Sequence, residues 1–161
     1  MTAQPNPAQF SGAVVAAVLA SGVIAGVAQA QDPATVAATR HENFKKLGGA
    51  FKGILDETKK PAPDVAVLKA NAKTLDALAA QVPTWFPAGT GQDVVAKSHA
   101  LPVIWQKPDE FKKDAADLAS AAHAMNTAAL SGNVDAVKAA IPALGGACKA
   151  CHSTFKAKDE H

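Results

Sequence analysis

The sequence has no tyrosine, two tryptophans and two cysteines, and aromatic residues make up only 5% of its 161 positions. A β-sandwich or barrel draws on aromatic and β-branched side chains, so this scarcity, beside abundant alanine, points to close-packed helices. Two cysteines three residues apart cannot build a disulfide scaffold. No basic block or stripe stands out and the formal net charge is +2, which argues against nucleic acid as a partner. No glycine-rich phosphate loop and no internal repeat is present. The length suits one domain with a real core.

Charge is absent altogether from residues 1–30. The stretch from Gly12 to Ala30 is small and apolar and ends in Ala28-Gln29-Ala30, the small-x-small pattern cleaved by signal peptidase. Residues 1–30 are therefore expected to be a secretory signal, and residues 31–161 the mature domain. The segment before the apolar run lacks the usual Lys or Arg, which leaves an uncleaved anchor as the alternative.

Beyond residue 31 the apolar spacing predicts four helices. The first covers about Pro33 to Glu57, with Phe44, Leu47, Phe51, Ile54 and Leu55 recurring at steps of three and four. Asp64 caps the second, which runs to about Val82 with Leu68, Leu75 and Leu78 on its stripe. Residues 83–107 form a long connection punctuated by Pro83, Pro87, Gly89, Gly91 and Pro102, and Trp85, Phe86 and Trp105 all fall in it. The third helix starts at Pro108 and repeats Phe111, Ala115, Leu118, Ala122, Met125 and Ala129. After the turn Ser131-Gly132-Asn133, the fourth runs from about Val134 to Lys158, with Val137, Ile141, Leu144, Cys148, Cys151 and Phe155 as its stripe. Pro142 and Gly145-Gly146 weaken its middle. The expected fold is all-α, an antiparallel up-down-up-down four-helix bundle with one long loop between the second and third helices.

Cys148-Lys149-Ala150-Cys151-His152 is a C-x-x-C-H motif for covalent haem attachment. On a helix the two thiols, three residues apart, share one face, where they reach the two vinyl groups on one porphyrin edge. His152 follows at once and supplies the iron ligand. A redox disulfide would want a βαβ context, and zinc would want two further ligands; the sequence offers neither. One haem c per chain is the expected cofactor.

No sixth iron ligand stands out. Met125 lies on the core stripe of the third helix, and His41 is the histidine to keep as a candidate, one turn before Phe44. His99 falls in the loop, His123 off the apolar stripe and His161 at the last position. A five-coordinate iron with an open site is the resulting expectation.

With these pieces in place, the chain resembles cytochrome c′ over residues 33–158. The resemblance rests on Arg40-His41-Glu42-Asn43-Phe44, on Trp85-Phe86-Pro87-Ala88-Gly89-Thr90, on Ala100-Leu101-Pro102-Val103-Ile104-Trp105, and on C-x-x-C-H-x-x-F near the C-terminus. It implies thioether bonds at Cys148 and Cys151, His152 as proximal ligand, and Phe44 packed over the open face of the haem. Related low-spin cytochromes of the c-556 type place a methionine on the first helix as ligand, which Phe44 cannot imitate. Arg40 matches an arginine that pairs with a haem propionate, although its residue type alone is equally at home as a solvated charge. Lys156 stands where the family usually has arginine, keeping the charge and losing the planar fork. Family members are often homodimers through their first two helices, and Gly48, Gly49 and Gly53 would allow close approach there.

The functional expectation is a periplasmic, high-spin haem protein that binds nitric oxide and carbon monoxide or exchanges electrons with a redox partner. The alternative is a low-spin electron carrier in which His41 or Met125 binds the iron. An enzyme consuming nitric oxide or peroxide ranks last, because no acid–base pair can be named.

Overall fold

The computed structural model describes Met1 and residues 31–158, so the expected signal segment and His161 lie outside the described residues. Among the described residues no helix is long and apolar enough to cross a membrane.

Four long helices form the bundle. Helix α1 is Pro33–Thr58 and α2 is Val65–Ala79; a short α3, Val103–Gln106, lies in the long connection; α4 is Pro108–Leu130 and α5 is Val134–Phe155. The starts are built by side-chain caps. The Asp32 carboxylate accepts from the Thr35 amide at 2.9 Å, with Pro33 in the first turn. Asp64 accepts from the Ala66 amide at 2.8 Å, and Asn133 from the Asp135 amide at 3.0 Å. Between α1 and α2, buried Glu57 accepts from the Asp64 amide and from Lys60 Nζ, both at 2.7 Å. These donors hold its carboxyl below the usual range, the Lys60 bond first.

Two predicted ends move. The second helix stops at Ala79, not Val82, and Val82–Trp85 forms a 3₁₀ turn. Pro83 explains this, since it has no amide hydrogen to donate to the Ala79 carbonyl four residues back. The fourth long helix stops at Phe155, not Lys158. There the Leu101 amide donates to Phe155 O at 3.0 Å, the Ala157 amide to His99 O at 2.8 Å, and Ala100 pairs with Lys156 as an antiparallel bridge. Backbone bonds to the long loop replace the next helical turn. Helix α5 runs unbroken through Pro142 and both glycines.

The core follows the predicted stripes unevenly. On α4 all six stripe residues, Phe111 through Ala129, are buried. On α5 only Val137, Leu144 and Phe155 are, while Ile141, Cys148 and Cys151 stay half-buried. The cause is the packing order: α1 lies on α2, α2 on α4 and α4 on α5, whereas α1 and α5 meet over little of their lengths. Gly53 turns inward, where an added Cβ would sit 2.8 Å from the Asn71 side chain, so its smallness serves α1–α2 packing; Gly48 and Gly49 face open space.

Candidate functional site

The gap between α1 and α5 holds two cavities, of about 360 and 250 Å³. Phe44, Cys151 and His152 line both. The smaller is apolar, walled by Leu47, Phe51, Val82 and Leu118, with Cys148 at its α5 side. The larger opens toward Arg40, His41, Lys45, Lys97, His99 and Lys156. The structure thus brings together every predicted site residue: Cys148, Cys151, His152, Arg40, Phe44 and Lys156. His41 joins them. Met125 does not, being completely buried in the α4 seam and lining neither cavity.

Both cysteines are free and half-buried. Burial raises both thiol pKa values, that of Cys151 to about 11, with the charges of Asp114 and Cys148 adding to it. They are therefore neutral thiols at physiological pH. A redox-active C-x-x-C depends on the opposite shift. Among the described residues no group of three or more His, Cys, Asp or Glu could hold a metal ion by itself.

Across the gap from His152 stands Phe44, the two ring centroids 6.4 Å apart. Phe44 in turn meets the edge of Trp85 at 5.1 Å and Phe86 at 6.1 Å. The aromatic series continues from Phe86 to Phe111 at 4.9 Å and from Phe111 to Phe155 at 5.4 Å. Trp85 and Phe86 owe their place to the long loop, which Trp105 ties down by donating from Nε1 to Phe86 O at 3.2 Å.

Arg40 is not a solvated charge: it is only 5% exposed. Its Nη1 donates to Trp85 O at 3.2 Å and Thr90 Oγ1 at 2.9 Å, and its Nη2 to Thr90 O at 2.7 Å and Ser98 Oγ at 2.8 Å. The guanidinium lies 4.6 Å over the Phe86 ring. Burial lowers its pKa from the usual value. Sequence reasoning missed Thr90 and Ser98 as its partners, and Lys45, Lys97 and His99 as cavity residues. No local pattern marks the four loop residues, because the loop folds back onto α1 from far along the chain, and Lys45, on α1 itself, reads as one more exposed lysine.

These residues fit the group that the motif implies. Two thiols on one helical face and an imidazole border an apolar slot. Phe44 and His152 line both cavities, with their ring planes at 68° to each other. The larger cavity carries the cations Arg40, Lys45, Lys97 and Lys156 on its lining.

Comparison with known proteins gives a consistent result. The cytochrome c′ family matches residues 35–156. The cytochrome c′ of Pararhodospirillum photometricum is 38% identical over 117 residues, covering 73% of this chain and 92% of the relative. Among solved structures, the cytochrome c′ of Thermochromatium tepidum superposes with a TM-score of 0.73 at 29% identity, over 79% of this chain and 98% of that one. A ferrous variant of cytochrome c′ from Alcaligenes xylosoxidans with bound nitric oxide gives 0.72 at 28% identity, over 81% of this chain and 100% of that one.

Proposed function

This chain belongs to the cytochrome c′ family, and on that premise we propose that it is a periplasmic, five-coordinate haem c protein that binds nitric oxide, and carbon monoxide, on the iron face opposite His152. The haem supplies the iron that binds the gas. Cys148 and Cys151 would hold it through thioether bonds and His152 would bind the iron. Arg40 lines the larger cavity; its four Nη–H groups are donated to Trp85, Thr90 and Ser98, so beside a haem propionate it would supply its charge and the remaining Nε–H. Lys156, half-buried at the mouth of the larger cavity, adds a second cation to that side.

The observation that carries the open iron site is Phe44 facing His152. A phenyl ring cannot coordinate, so with His152 holding the iron Phe44 would cover the site without supplying a second ligand and would have to yield to admit one. Phe44 itself could give no hydrogen bond to bound oxygen, which would disfavour stable oxygenation. We assign binding rather than turnover, with reduction by a separate redox partner. Gly48 lines the smaller cavity, which leaves the open space at Gly49 as the feature on α1 that supports self-association through α1 and α2.

His41 lines the same cavity as His152 and gives the low-spin alternative its one observation. Absorption spectra separate the two. The expected result is a broad high-spin ferrous Soret band that sharpens and shifts with carbon monoxide. Split low-spin ferrous bands unmoved by carbon monoxide would overturn the assignment and make His41 the first residue to replace.

A further inference from the structure

Phe44 has a built wall behind it, and that wall is held by polar groups of α1 and the long loop. The ring of Trp85, 8% exposed, stands perpendicular to Phe44 at 5.1 Å. The Trp85 carbonyl accepts from Arg40, whose guanidinium also covers Phe86. Arg40 is fixed by Thr90 and Ser98, which are 2% and 7% exposed. Those two are fixed in turn: Ser98 Oγ donates to Thr90 O at 3.0 Å, and Thr90 Oγ1 donates to Pro87 O at 2.8 Å. Arg40 and Phe44 are one helical turn apart on α1. One stretch of rigid helix therefore carries both the ring and the clasp that sets what stands behind it.

We propose that Trp85, held by the Arg40–Thr90–Ser98 clasp, is the backstop that determines how readily Phe44 gives way to an incoming diatomic ligand. The inference rests on the reading that Phe44 covers the open iron face. A ring that must move away from His152 moves against Trp85 and Phe86, so the cost of entry is set by how firmly those two are held. Thr90 and Ser98 are then positioning residues: Thr90 lines neither cavity, and Ser98 lines the larger one beside Arg40.

The test uses the haem-loaded protein and stopped-flow mixing of the ferrous form with carbon monoxide. Trp85→Phe, and separately the pair Thr90→Val with Ser98→Ala, should each speed association by roughly two- to tenfold, the kinetic equivalent of one edge-to-face aromatic contact. Thr90→Ser, which keeps the hydroxyl, should retain the parent rate. A 4-fluorophenylalanine placed at position 44 should show a second ¹⁹F resonance or a broadened line in the accelerated variants only. Phe44→Ala is the control for the underlying reading. If it speeds association while Trp85→Phe and the paired substitution leave rate and ¹⁹F line unchanged, the backstop is wrong and the Phe44 reading stands. If Phe44→Ala itself changes nothing, the reading falls and the backstop with it. Trp85→Phe decides the matter alone should the paired substitution fail to fold.

Discussion

Between α2 and α4, Leu68, Ala72, Leu75, Ala122 and Met125 are completely or almost completely buried. Between α1 and α5, Phe44, Phe51, Cys148 and Cys151 share the same apolar character and remain half-buried around two cavities. The first seam is filled by side chains and bridged by Asn126 Nδ2 donating to Asp76 Oδ2 at 2.9 Å. The second is lined but not filled. Protein interiors close-pack as a rule, and slots of this size between bundle helices are where ligands and cofactors sit. Two seams with one kind of periodicity thus separate structural from functional burial by how completely each is closed.

The comparison can be broken most severely at the motif. Replacing Cys148 and Cys151 together by serine should abolish covalent haem, seen as loss of haem staining on a denaturing gel while the far-UV helical signal persists. His152→Ala should leave the thioethers and change the iron's spectrum.

A smaller effect distinguishes the seams by stability. In the haem-free chain Met125→Ala should cost about 2–5 kcal/mol in urea unfolding, as expected for a fully packed site. Phe51→Ala, at the open seam, should cost markedly less there, and more once haem is bound. Equal costs in the haem-free chain would mean that the two seams are equally closed.

The smallest effect is a proton linkage. Cys151 titrates near 11 in the folded chain, against an ordinary thiol value of 9.0. The folded state favours the neutral thiol, so this contribution is present below about pH 9 and is lost as pH rises toward 11. Discounted for partial exposure, it is at most about 2 kcal/mol. Haem-free protein should lose stability over that alkaline window, and the thioether-linked form should not lose that part. Parallel pH profiles for the two forms would remove the thiol as the cause.

Much of this was legible in the residues. The α4 stripe from Phe111 to Ala129 follows strict three-and-four spacing, and all of it is buried, because a regular helix against two neighbours leaves periodicity in charge. The C-x-x-C-H motif reads directly because its chemistry is local. The helix ends near Val82 and Lys158 did not read correctly: Pro83 acts on the backbone in one case, and the loop pairs with residues 155–157 in the other. For Arg40 the residues left two readings open, a propionate partner and a solvated charge. Whether a guanidinium is solvated or buried depended on Thr90 and Ser98, which arrive from a distant loop. The open face of α5 was equally hidden, since a stripe records which residues are apolar and not whether a neighbour covers them.

The pairing of Ala100 with Lys156 also bears on the order in which the chain is made. One wall of the slot comes from the first helix of the domain, the floor from the middle helices, and the thiols from the last. During synthesis α1, α2 and α4 are complete before Cys148 exists. The strap at residues 98–101 can latch only when residues 155–157 follow. A shortened chain that stops before the latch would therefore keep most of its apolar mass and yet lack the clamp behind the motif. Such long-range closure is a late and cooperative event, so attachment and final folding converge on the same few terminal residues.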